Sequence, residues 1–201
     1  NGEGSVNGAL TFDPLKHNQR AGLLLLEGVV YMTWAGHCDW PPYHGWLMGY
    51  NAVTLEQEVV WNVTPDGSAG GIWQSGQGLA SDGIHIYAVS GNGTVGEEGN
   101  LSSMRNRGES IMKLVRAGET LEVLSWFTPY DWELLELDDL DLGSTGLLLI
   151  PGTHFGVAGG KGGKIYAVDT DNMGGLASSG SAADAVVQSC NLNTPHYMHG
   201  T

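Results

Sequence analysis

The stretch Gly49-Tyr50-Asn51-Ala52-Val53-Thr54-Leu55-Glu56-Gln57-Glu58-Val59-Val60-Trp61, followed by Thr64-Pro65, is matched further on by Lys113-Leu114-Val115-Arg116-Ala117-Gly118-Glu119-Thr120-Leu121-Glu122-Val123-Leu124-Ser125-Trp126, followed by Thr128-Pro129. Each reads as a strand, a tight turn, a second strand and a tryptophan. Lys164-Ile165-Tyr166-Ala167-Val168-Asp169-Thr170-Asp171 supplies a third, partial copy. Units of a few short strands recurring at roughly 50 to 65 residues are the pattern of propeller blades, which stack radially and bury faces that one blade alone leaves open.

Working outward, further β-branched or aromatic runs bounded by Gly, Pro, Asn and Asp read as strands: Val29–Thr33, Trp46–Tyr50, Ile84–Val89, Ile111–Val115 and Leu147–Ile150. Tyr130–Leu142 is acidic and loses helical phase quickly, so it reads as a loop holding no more than one helical turn. The expected fold is all-β, a propeller of four-stranded antiparallel blades. At about 50 residues per blade, residues 1–201 make a single domain, or a fragment, of about three to four blades. So few blades leave raw edges, which other chain segments or another chain would cover.

Composition narrows the function. The 201 residues include 32 glycines, and 41% are hydrophobic against 15% charged, a foldable and loop-rich chain. Eight Lys+Arg against 22 Asp+Glu give a formal charge of −14, which repels nucleic acid and anionic lipid and favours neutral, cationic or metal-ion partners. The runs Leu23–Leu26 and Leu147–Ile150 are far too short for a membrane span. Cys38 and Cys190 are compatible with one long-loop bridge in an oxidising compartment. Gly91-Asn92-Gly93-Thr94-Val95-Gly96 formally matches a dinucleotide fingerprint, but Glu97-Glu98-Gly99-Asn100 follows where a helix should begin, so no phosphate-binding helix end is expected. His37, His44, His196 and His199 sit in polar loops and would offer transition-metal donors only if the loops meet.

The turn pattern ending in Trp61, the run Gly70-Gly71-Ile72-Trp73, and then Asp82, Ile86-Tyr87 and Gly91-Asn92-Gly93 resemble the pyrroloquinoline-quinone (PQQ) dependent dehydrogenases and the wider PQQ-like propeller repeat proteins. The resemblance implies that Trp73, at the end of Gly70-Gly71-Ile72-Trp73, is the surface on which the quinone lies, and that Asn92 helps to hold Ca²⁺. It implies a catalytic role for Asp141 in Asp141-Leu142-Gly143-Ser144-Thr145, and contact with the quinone oxygens for Lys161 in Gly160-Lys161-Gly162-Gly163. The family's Ca²⁺-binding Glu has no counterpart in Gly36-His37-Cys38-Asp39-Trp40-Pro41-Pro42, where Asp39 is the nearest oxygen donor. The adjacent Cys pair of many alcohol-oxidising members is absent. So is any Cys-x-x-Cys-His, so electrons would leave to an external acceptor.

The residue types suit those roles. An indole gives a flat molecule a large apolar surface, Ca²⁺ takes carboxylate and amide oxygens, a carboxylate can remove a hydroxyl proton, and an ammonium can stabilise growing negative charge. The resemblance therefore implies a secreted or periplasmic quinoprotein that oxidises an alcohol or sugar hydroxyl with PQQ and Ca²⁺. The competing expectation is a non-catalytic propeller used for binding or assembly. There Trp73 fills a blade interface, Asn92 and Lys161 occupy turns, and Asp141 closes a solvated acidic run.

Overall fold

The computed structural model describes residues 2–98, 100–103, 105–177 and 183–192. Among these residues, three mainly antiparallel sheets follow one another along the chain, and none closes on itself. The first holds β1 (His17–Gln19), β2 (Leu24–Leu26), β3 (Val29–Gly36), β4 (Trp46–Asn51) and β5 (Gln57–Asn62), with β1 and β2 sharing one edge of β3. The second is the meander β6 (Ala80–Ser81), β7 (Ile86–Val89), β8 (Ile111–Ala117) and β9 (Thr120–Thr128). A short helix, α1 (Trp132–Leu137), leads to the third sheet: β10 (Leu148–Leu149), β11 (Phe155–Gly159), β12 (Lys164–Asp169) and, after a two-residue β13 (Gly175–Leu176) laid parallel on β9, the outer strand β14 (Gln188–Asn191). These are three blades in sequence. The helix spans six residues, longer than the single turn expected there.

The repeated hairpins occupy equivalent positions: β4–β5 in the first blade, β8–β9 in the second, and β12 in the third. Both complete copies carry a β-bulge, between Gly49 and Tyr50 in one and between Lys113 and Leu114 in the other, positions that coincide when the copies are aligned. A bulge bends a strand and raises its twist, as the outer half of a propeller blade requires. The turns differ. Gly118, at φ +66°, closes a two-residue loop, whereas Asn51 Oδ1 accepts the Val53 and Thr54 N–H groups and holds a longer one.

Alternation along the middle blade builds the two main cores. Ile86, Ala88, Met112 and Leu114 face the first blade, against Val29, Tyr31, Leu47 and Val59. Tyr87, Val89, Ile111 and Phe127 face the third, against Leu147, Ala158, Tyr166 and Val168. Period-two strands thus present one apolar set to each neighbour, which is how blades stack. Leu10 and Phe12 lie over the outer face of the first blade, on Trp34, Trp46 and Met48. Polar ties join the blades: Arg116 Nη1 is 2.9 Å from Glu58 Oε2, and Lys113 Nζ donates to Thr170 O at 3.0 Å. Cys38 and Cys190 are both exposed and unbridged.

Candidate functional site

Trp73 comes from the segment that leaves the first blade for the second. Gly71 lies so close that a Cβ there would sit 2.9 Å from the indole nitrogen. Directly after it, Gln74 and Ser75 take left-handed backbone conformations, at φ +42° and +47°, which are costly for residues with side chains. The buried Gln74 offsets that cost: its amide oxygen accepts the Val89 N–H at 3.1 Å, and its nitrogen donates to Gln77 O and Gly78 O. The half-buried indole meets the Tyr43 ring edge-on at 6.4 Å, and the Arg20 guanidinium lies 5.9 Å from its ring. Its Nε1 is buried with no hydrogen-bond partner among the described residues.

Asp141 sits in a tight junction between α1 and the third blade. It is 6% exposed, although it closes an acidic run that would ordinarily be solvated. Its Oδ1 accepts the Asn92 N–H at 2.9 Å, and its Oδ2 lies 2.5 Å from Lys161 Nζ, which also reaches Asp139 Oδ1 at 3.1 Å. Desolvation raises the Asp141 carboxyl above the usual aspartate range, opposed by Lys161 and the Asn92 amide. Lys161 is desolvated too, but the two carboxylates outweigh that and hold its ammonium above the usual lysine value.

Two further carboxyl groups lie beside this pair, and the sequence had not singled them out. Glu136, on α1, accepts the Gly93 N–H at 2.6 Å, and burial raises its pKa. Glu109 is fully buried just before β8, accepts the Leu142 N–H at 2.7 Å, and is pushed well above the usual glutamate range by desolvation. Glu136 was hidden in an acidic run and Glu109 in a polar turn, Gly108-Glu109-Ser110. Neither carries a motif.

A cavity of about 100 Å³ is lined by Trp73, Ser75, Asp141, Ser144, Lys161, Arg20 and Asp39. A neighbouring cavity of about 370 Å³ shares Asp39 and is lined also by Tyr43, Asn92, Glu136 and Asp139. Trp73, Asp141, Lys161 and Asp39 therefore border one cavity, and Asn92 bonds Asp141 while facing the next. The Asn92 side-chain oxygen is buried without a partner among the described residues, and its nitrogen donates to Glu136 O at 3.2 Å. Asp39 is exposed and accepts the Tyr43 hydroxyl at 3.1 Å.

The other metal expectation finds no support in the loops described. His44 is buried, with its ring nitrogens at Thr64 Oγ1 and Glu3 O, and His196 and His199 lie outside the described residues. Among the described residues no three His, Cys, Asp or Glu side chains gather closely enough to hold a metal ion by themselves.

Known structures share this architecture. The quinohemoprotein alcohol dehydrogenase of Pseudomonas putida HK5 superposes with a TM-score of 0.55 at 15% identity, over 84% of this chain. That of Comamonas testosteroni gives 0.56 at 16% identity, over 81%. The chain has the quinoprotein propeller fold. It spans 28% of the length of either dehydrogenase, so its three blades correspond to part of their propellers. No protein-family model matches the sequence, and no curated protein matches it either. Among the described residues no helix is long and apolar enough to cross a membrane.

Proposed function

We propose that this chain carries the cofactor-facing residues of a quinoprotein-like oxidoreductase that oxidises an alcohol or sugar hydroxyl in a secreted or periplasmic setting. The observation that carries the reading is the Lys161–Asp141 pair at 2.5 Å in the cavity that Trp73 lines. A base, a cation and an aromatic surface, drawn from three distant parts of the chain, share one small cavity. That combination suits a flat, oxygen-rich ligand better than it suits packing alone.

The residues fit PQQ. The half-buried indole of Trp73 offers an apolar surface, and its Nε1, without a partner among the described residues, leaves a polar group there for a ligand to meet. When bound, PQQ supplies an acceptor for the hydride leaving the substrate carbon. Asp141 takes the hydroxyl proton at Oδ2, the oxygen that faces Lys161. Lys161 turns its ammonium from Oδ2 toward the ligand's oxygens and stabilises negative charge there. Asn92 Oδ1, a buried acceptor without a partner among the described residues, would hold Ca²⁺, with Asp39 as a second oxygen donor and further ligands from outside the described side chains. At about 100 Å³ the cavity is smaller than the roughly 300–1,000 Å³ of enclosed ligand pockets, and the adjoining cavity of about 370 Å³ shares Asp39 with it. Reoxidation falls to an external electron acceptor.

Adding PQQ and Ca²⁺ to the purified protein and following visible absorbance and quinone fluorescence tests the reading. Saturable binding at micromolar quinone supports it. Absence of binding at those concentrations overturns it in favour of a non-catalytic propeller, in which Lys161 simply neutralises Asp139 and Asp141.

A further inference from the structure

Glu109 is a buried acid to which the proposed chemistry assigns no role. It is fully buried, yet its backbone occupies the left-handed region at φ +45°, a conformation that costs a residue with a side chain free energy unless surroundings enforce it. What enforces it is a backbone lattice. The Glu109 N–H donates to Gly91 O at 2.8 Å and the Gly91 N–H to Gly71 O at 2.9 Å, which joins the segments that carry Trp73, Asn92 and β8. The side chain adds the remaining connection, because its Oε2 receives the N–H of Leu142, the residue after Asp141. Its Oε1 is buried with no partner among the described residues. A buried acid that leaves one oxygen unmatched is expensive for stability, and an apolar residue would pack there without that cost.

We propose that Glu109 is a positioning residue for this site: through the Leu142 N–H it fixes the Asp141–Leu142 peptide, so that the Asp141 carboxylate meets both Asn92 and Lys161. The backbone around Asp141 has few other anchors. Asp141 O receives Lys161 N–H at 3.1 Å and a longer contact from Ser144 at 3.4 Å, and both hold the carbonyl side of the peptide, whereas Glu109 holds its N–H side. The role deepens the proposed function, on whose quinone reading one arm of the test depends; the other arms do not.

Three variants separate acceptor geometry from charge. Glu109→Gln keeps an oxygen within reach of Leu142, Glu109→Asp keeps the carboxyl but withdraws it by one methylene, and Glu109→Ala removes it. The first readout is hydrogen exchange at the Leu142 amide, with the Leu114 amide in β8 as internal reference. Loss of this one hydrogen bond should speed Leu142 exchange by about tenfold in Glu109→Asp and Glu109→Ala and leave it near wild type in Glu109→Gln. The second is the carboxyl titration of Asp141 by carbon-13 NMR, identified by its disappearance in Asp141→Asn. It should shift in Glu109→Asp and Glu109→Ala and not in Glu109→Gln, a pattern that general loosening would not produce. PQQ affinity should follow the same order.

Leu142 exchange and Asp141 titration unchanged in Glu109→Asp would overturn the proposal, as would a folded Glu109→Gln that behaves like Glu109→Ala. If Glu109→Ala does not fold, the Gln and Asp variants alone decide. If wild-type protein binds no PQQ while the exchange and titration arms behave as expected, the functional reading fails and the positioning role stands.

Discussion

Lys161 Nζ and Asp141 Oδ2 stand 2.5 Å apart, so the turn after β11 meets the buried carboxylate of the α1–β10 junction with full opposite charge at the cavity. The pair is asymmetric. Asp141 is buried, whereas Lys161 is half-buried and shared with the exposed Asp139. The ammonium can therefore swing toward a ligand without leaving solvent contact, and the carboxylate, held at Oδ1 by Asn92, cannot follow. This makes Asp141 the fixed partner.

Asp141→Asn keeps the volume and leaves an amide oxygen to accept the Asn92 N–H, but it turns an NH₂ group toward Lys161. The base is lost and Lys161 keeps only Asp139. Dye-linked oxidation is expected to fall by about 10²–10⁴-fold while quinone remains bound, a split readable from turnover beside quinone fluorescence. Unchanged turnover would remove Asp141 from the chemistry.

Trp73→Ala is expected to weaken quinone binding. The indole borders a cavity and is only half-buried, so the stability loss should stay below the roughly 3–5 kcal/mol typical of emptying a core Trp position. Urea titration of the free protein beside a quinone titration measures both. A full core-sized loss with unaltered quinone affinity would make Trp73 a packing residue.

Glu109 governs a pH dependence of stability. Its folded pKa lies well above the ordinary 4.5, with desolvation as the first cause. Below the unfolded value the carboxyl is protonated in both states and nothing is lost. As pH rises from there toward the folded pKa, the unfolded chain releases a proton that the folded chain retains. Unfolding is then favoured by up to about 1.4 kcal/mol per pH unit. Glu109→Gln does not titrate, so its stability relative to wild type should be lowest near pH 4 and should increase steadily with pH. Parallel urea midpoints for the two proteins from pH 4 to 8 would contradict the burial argument.

The propeller was legible in the sequence because its outer hairpins are long enough to show period-two alternation and because they repeat, down to the bulges at Gly49/Tyr50 and Lys113/Leu114. Leu148–Leu149 showed in the apolar run Leu147–Ile150, but other short strands were not legible: Ala80–Ser81 is too short for any period, His17–Gln19 is polar, and Phe155–Gly159 is broken by glycines. Neighbouring strands, rather than local preference, make these residues β. For the site, Trp73, Asn92, Asp141, Lys161 and Asp39 were expected from the resemblance to quinoprotein dehydrogenases. Arg20, Glu109 and Glu136 escaped because only the packing of separate loops brings them near. The burial of Asp141 was illegible for the same reason: it requires side-chain-free backbone at Gly91 and Gly160, whose hypothetical Cβ atoms would lie 2.0 Å from its Oδ1 and 2.6 Å from its carbonyl oxygen.

Gly91 turns that last observation into a test that spares the charged groups. Its φ is not positive, so an added methyl group meets no intrinsic backbone penalty; the effect is steric. A Cβ at this position would stand 2.0 Å from Asp141 Oδ1 and 3.0 Å from Trp73 Cδ1, inside contact distance of both, and Asp141 is buried with its Oδ1 already accepting the Asn92 N–H. The carboxylate has to rotate away, which breaks the Asn92 contact and misaligns the Lys161 pair. Gly91→Ala should therefore retain the near-native strand signal of the three blades while lowering quinone affinity by about tenfold or more, the equivalent of one lost hydrogen bond to a charged group. Far-ultraviolet circular dichroism beside quinone titration reads the two effects separately. Wild-type affinity in a folded Gly91→Ala protein would mean that the quinone, if it binds, does not depend on where the Asp141 carboxylate points.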